Sequence, residues 1–148
     1  MLRRIVGMLL GALLLCLAGT CSAADMRFVD AQGYTGYYVD ASSVTYESTA
    51  ACNATIAVIK ADRNRMFRYT MHFDRGQGIY QILSSQVLAY DTKTVLSQSG
   101  TEPYTHPYSG FSPMKTIVDF IYDDLPHGEL PPPPAPEPVV EDAAGEGN

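Results

Sequence analysis

Cys52 and His72 are the residues of this 148-residue chain whose types could supply a nucleophile and its base. A thiol attacks only as thiolate, so it needs an imidazole beside it or a positive charge to hold the anion. The two meet only if their strands adjoin. Cys52 has two further readings, a buried small hydrophobe and an intermolecular bridge. Ser84 and Ser85 are a second nucleophile candidate for a cryptic hydrolase. His72, His106 and His127 share no helix face, so a metal site built from them requires the fold to gather them. The spacings of common catalytic machineries, G-x-S-x-G, H-E-x-x-H and C-x-x-C, do not occur. Arg75-Gly76-Gln77-Gly78 is too short for a phosphate loop and is followed by a strand pattern, not a helix. The reading is a non-enzymatic protein with no cofactor and no metal.

Recognition chemistry is better represented, with ten tyrosines and no tryptophan. Tyr34, Tyr37 and Tyr38 lead into Asp40-Ala41-Ser42-Ser43. Aromatic side chains suit a pleated strand, and Asp and Ser side chains bond their own backbone where a strand turns. The second concentration is SGTEPYTHPYSGFSP, residues 99–113. Connections this long are uncommon in small domains and often functional. Its prolines stiffen it, and Tyr104, His106, Tyr108 and Phe111 supply the rigid aromatic surface that anchors protein partners. In the competing reading Tyr108 and Phe111 close the open end of the core. The candidate binding residues are therefore Tyr37, Tyr38, Tyr104, His106, Tyr108 and Phe111. Positive charge gathers only at Lys60–Arg65, which reads as a solvated hairpin turn over 62–64, with an anion or glycan contact as the alternative.

The elements that must position these residues are mainly strands. Phe67, Tyr69, Met71 and Phe73 alternate with Arg68, Thr70 and His72, the period of two of a half-buried strand. Thr55–Ile59 precedes it across the charged turn and completes a hairpin. Gly78–Asp91 is a third long strand, and Thr94–Gln98 folds back after Asp91-Thr92-Lys93. Arg27–Asp30 and Tyr34–Asp40 form a first hairpin around Gly33. One helix follows Ser112, a good N-cap, with Pro113 in its first turn. Its apolar stripe is Met114, Ile117, Val118, Ile121 and Leu125, and Pro126 ends it. The fold class is α+β: a single antiparallel meander sheet of five to six strands with one C-terminal α-helix packed on one face.

The two ends differ from this domain. Arg3 and Arg4, an apolar run from Ile5 to Ala18 and Ser22-Ala23-Ala24 describe a secretory signal peptide, residues 1–24, cleaved after Ala24 or after Ala23. The run is shorter than the roughly 20 residues a bilayer span needs. Leu17-Ala18-Gly19-Thr20-Cys21 resembles a lipidation box, which makes a lipoprotein through Cys21 the alternative. Cleavage leaves Cys52 as the lone cysteine, so the 25–128 domain is held by its core, with no intramolecular disulfide. It also removes two of the 10 basic residues against 16 acidic ones, giving a net charge near −8. Such a chain is repelled by nucleic acid and by anionic lipid. Residues 129–148 form a proline-rich acidic tail, disordered or polyproline II in its first part.

In order and pattern the chain resembles the surface-adhesin protein E family of bacterial cell envelopes. The matching pieces are Tyr37-Tyr38-Val39-Asp40-Ala41-Ser42-Ser43-Val44, the strand TIAVIKAD, the strand-turn-strand YQILSSQVLAYDTKTVLSQS, and Ser112-Pro113 opening the helix. The resemblance implies a small antiparallel sheet backed by a helix, export across the inner membrane, and homodimers in at least some members; the final address, periplasm, outer-membrane surface or medium, stays open. It also implies binding of host matrix or plasma proteins. The expected function is thus an exported envelope binding protein. The alternative is a periplasmic scaffold that self-associates through a sheet edge. The expected contact surface is the loop 99–113 or the sheet face the helix leaves bare.

Overall fold

The computed structural model describes residues 23–135. The candidate leader up to residue 22, with Cys16 and Cys21, and residues 136–148 of the tail lie outside the described residues. Six strands follow one another as β1 (Met26–Gln32), β2 (Thr35–Tyr46), β3 (Ala51–Lys60), β4 (Arg65–Asp74), β5 (Ile79–Ala89) and β6 (Val95–Ser99). They pair antiparallel in that order, as the meander reading requires. A two-residue strand, β7 (His106–Pro107), pairs with β5 along the flank that β6 occupies further on. Gly33 (φ 59°) and Asn64 (φ 49°) take the left-handed conformation that their tight turns demand.

The helix α1 (Pro113–Asp119) continues into one π-helical turn, Phe120–Asp124. Ser112 caps it: its backbone is extended and its Oγ accepts from the Met114 N–H at 3.1 Å. The expected stripe of Met114, Ile117, Val118, Ile121 and Leu125 packs on the sheet face built by Val39, Cys52, Ala54, Ile56, Met71 and Phe73. Side chains as fully buried as Phe73, Ile56 and Ile117 each contribute about 1.5–3 kcal/mol. The helix end is tied down by polar contacts too. Tyr46 Oη donates to the Ile121 carbonyl at 2.6 Å, and Tyr122 Oη lies 3.4 Å from the Ser48 carbonyl.

Three details differ from the sequence reading. Asp40-Ala41-Ser42-Ser43 does not end its strand; β2 runs on to Tyr46 through a register shift between Asp40 and Thr45. The local bonds are of the expected kind, Ser42 Oγ to Asp40 Oδ1 at 2.6 Å and Ser43 Oγ to the Asp40 carbonyl at 2.7 Å. Ser43 Oγ also accepts from Thr55 N at 2.8 Å, so a side chain takes over a ladder bond that the bulge breaks. Second, β3 starts at Ala51 and so carries Cys52. Third, the first tail residues belong to the domain: Leu130 packs on the main core and Thr49 N donates to the Pro131 carbonyl at 2.9 Å.

The bare sheet face holds a second, smaller cluster. Ala57, Met66 and Leu88 are buried there under Met26, Tyr38, Ile59 and Tyr90. Alternation places Met66 on this face and Phe67 on the other, so both faces of β4 carry apolar residues.

Candidate functional site

Strand register separates the residues that could form a nucleophile pair. Cys52 stands opposite Phe73 and Asn53 opposite His72, so the thiol faces the helix and the imidazole faces away. Cys52 is fully buried, and burial pushes its thiol up to about 11. His72 instead bonds Asn53 Oδ1 at 3.1 Å, with Glu47 Oε1 3.6 Å away. Ser84 and Ser85 point to opposite faces, across from Thr70 and Tyr69. The shallow depression beside them is lined by Gln86, Gln98, Ser99 and Gly100, with no base. His106 and His127 lie in separate contacts, on Glu102 and on the Tyr122 carbonyl. Among the described residues no three metal-ligating side chains come together.

The connection from β6 to α1 gathers four of the six candidate binding residues. From Thr101 to Tyr108 it is stitched to β5 and to Gly78 just before that strand. Thr101 Oγ1 donates to the Leu83 carbonyl at 2.8 Å, Glu102 N to the Ile82 carbonyl at 2.9 Å, and Tyr108 N to the Gly78 carbonyl at 3.0 Å. Gln81 Nε2 adds a bond to the Glu102 carbonyl at 2.8 Å. These bonds explain how a 15-residue stretch keeps one course, a cost in chain entropy that a free loop would not bear.

Within it, His106 acts as a hub. Its ring stacks on Tyr80 at 5.0 Å, meets Tyr104 edge-on at 5.1 Å, and its Nε2 lies 2.8 Å from Glu102 Oε2. Tyr104 is held from one side and 56% exposed on the other. Tyr108 is half-buried and packs on the main core, as the competing reading expected. Phe111 does not share that role: it is 99% exposed at the start of the helix. Its flanks, Gly110 and Ser112, turn the chain into the cap, and that turn carries the ring outward.

Beneath the loop the helix leaves part of its own sheet face open. A cleft of about 530 Å³ is lined by Tyr80, Pro107, Tyr108, Ser109, Ser112 and Met114. A smaller one of about 200 Å³ lies between Val58, Tyr69, Met71, Ile82 and the same Tyr80 and Met114. Burial first raises both the Tyr69 and Tyr80 phenols, followed for Tyr69 by the neighbouring Tyr80 and then Glu102, and for Tyr80 by Glu102. Both stay neutral at physiological pH, as hydroxyl donors within an apolar trough.

Tyr37 and Tyr38 are not part of this arrangement. Adjacent on β2, they point to opposite faces: Tyr37 packs on the main core and Tyr38 on the second cluster, edge-on to Phe28 at 5.5 Å. Sequence reasoning missed Glu102, Tyr80 and Met114. Only Glu102, four residues before His106, left a local signal. No helix among the described residues is long and apolar enough to cross a membrane. Comparison of the chain with known families, with curated proteins and with solved structures finds no match.

Proposed function

We propose that this chain is an exported, non-enzymatic binding protein of the cell envelope that grips a protein partner through Tyr104 and Phe111. The observation that carries the reading is Phe111, a large ring 99% exposed between the Tyr108–Gly78 backbone bond and the Ser112 helix cap. A large aromatic ring standing in solvent buries much apolar area on binding, the usual profile of an interface anchor. The open trough lined by Tyr80 and Met114 supplies an adjoining apolar surface. The burial of Cys52 and the opposite facing of His72 favour binding over catalysis. The test is surface-immobilised mature protein against matrix and plasma proteins, with Phe111→Ala and Tyr104→Ala beside it. Each variant is expected to lose tenfold or more in affinity, about 1.4 kcal/mol. Equal binding by both variants overturns the assignment. Export is tested by the mass of the mature N-terminus, expected at Asp25; a diacylated Cys21 replaces it with lipoprotein anchoring.

A second reading, self-association as a scaffold, is favoured by β6. This edge strand is exposed at all five residues, has no charge or proline, and presents Val95 and Leu96 to solvent. Such edges invite pairing with another strand. Sedimentation separates the readings: a dimer broken by Leu96→Lys supports the scaffold, and a monomer at high concentration opposes it.

A further inference from the structure

At the end of the sheet away from the charged 61–63 turn, the chain returns from the helix and crosses the β2–β3 turn. Leu130 anchors it in the core and Pro131 accepts from Thr49 N. Pro132, Pro133 and Pro134 then stand as a wall facing Glu47, Ser48, Ala50, Ala51, His72 and Asp74, and a cavity of about 770 Å³ lies between. That volume is in the range of small-ligand pockets, and its lining is of their kind, apolar walls with a few convergent polar groups.

The polar groups decide the ligand's charge. Asp74 accepts from Gln77 N at 2.9 Å but forms no ion pair among the described residues. Glu47 accepts from Asn53 Nδ2 at 2.7 Å, with the His72 ring 3.6 Å away, and no Lys or Arg pairs with it among the described residues. The nearby Arg75 is turned to Asp123 and to the Tyr122 ring. Two carboxylates thus border a cavity without a fixed positive charge of their own. The chain as a whole carries −6, which draws cations toward it.

We propose that this cavity is a binding site for the side chain of an arginine carried by a peptide or protein partner. The three-carbon stem lies against the proline wall and the two alanines, and the planar guanidinium reaches Glu47 and Asp74 with its forked donors. The proline segment is stiff before the ligand arrives, so little ordering is spent on closing the site. This site shares no residue with the Tyr104–Phe111 surface and does not rest on that reading.

The experiment is calorimetric titration of the full mature chain with three capped tripeptides, Gly-Arg-Gly, Gly-Lys-Gly and Gly-norleucine-Gly. The arginine peptide is expected to bind, the lysine peptide more weakly and the norleucine peptide not at all. Glu47→Gln and Asp74→Asn are each expected to weaken the arginine peptide about tenfold. An amide at 74 keeps an oxygen for Gln77 N, and a thermal melt of each variant confirms that it is folded. Equal binding of arginine and norleucine peptides, no binding of any, or unchanged affinity in both variants overturns the proposal. Lysine binding as tight as arginine overturns the guanidinium assignment.

Discussion

Cys52 and His72 sit on neighbouring antiparallel strands, yet their side chains emerge on opposite faces of the sheet. The offset is one residue, and in a pleated ladder one residue is the whole thickness of the sheet. The thiol lies in the main core against the helix, fully buried and raised to about 11. Native protein at pH 8 is therefore expected to resist iodoacetamide, with labelling appearing only in denaturant. Rapid modification of the native chain would place the thiol elsewhere. Cys52→Ala removes a buried sulfur and is expected to cost about 1–2 kcal/mol in a urea melt, the scale of small core truncations.

Tyr108 and Phe111 are three residues apart in the same loop and should respond in opposite ways. Tyr108 is half-buried on the core, so Tyr108→Ala is expected to destabilise by about 2–4 kcal/mol. Phe111 touches little, and Phe111→Ala is expected to shift stability by less than about 0.5 kcal/mol. Parallel chemical denaturation of the two variants reads the contrast directly. A loss at Phe111 as large as that at Tyr108 would show the ring packed inside.

Leu130 makes a similar point about the end of the domain. It packs on the core cluster beside Leu125, and the Pro131 carbonyl is held by Thr49 N at 2.9 Å. Ending the chain after Gly128 is expected to lower stability by about 1–2 kcal/mol relative to ending it after Ala135, because a half-buried leucine and a hydrogen bond are lost. Equal melting midpoints for the two lengths would show that Leu130 and Pro131 add nothing to the fold.

The meander and the helix were legible because their signals are local. Phe67, Tyr69, Met71 and Phe73 alternate, and Ser112-Pro113 with Met114, Ile117, Val118 and Ile121 spells out a capped amphipathic helix. The bulge in β2 was not legible, since Asp40, Ser42 and Ser43 make the same short-range bonds in a bulge as in a turn. Which of the two forms is decided by Thr55 on the next strand. The same limit applies to the binding surface. Tyr104, His106 and Phe111 were visible as a run of aromatics, but Tyr80 and Met114 join them only through β5 and the helix. Tyr37 and Tyr38 were grouped by adjacency, which in a strand is what separates two side chains.

His127 ties the segment after the helix to the core, and its contacts carry a sign that pH can test. One ring nitrogen lies 3.0 Å from the Gly128 carbonyl and the other 2.9 Å from the Tyr122 carbonyl, with the ring 5.1 Å from Tyr46. Two carbonyls on two nitrogens favour the doubly protonated imidazolium, and Asp123 adds to the effect. The Gly128 carbonyl first, then the Tyr122 carbonyl, raise the group above its ordinary value of 6.5. A folded-state pKa above the unfolded one means that the imidazolium stabilises the fold fully below about pH 6.5 and that this part is lost as pH climbs through the folded value. The gap in melting temperature between the natural chain and His127→Ala is thus expected to be larger at pH 5 than at pH 8. An NMR titration of the His127 ring should show a midpoint above 6.5. A gap that widens toward pH 8, or a midpoint below 6.5, would mean that the two carbonyls do not face the ring in solution.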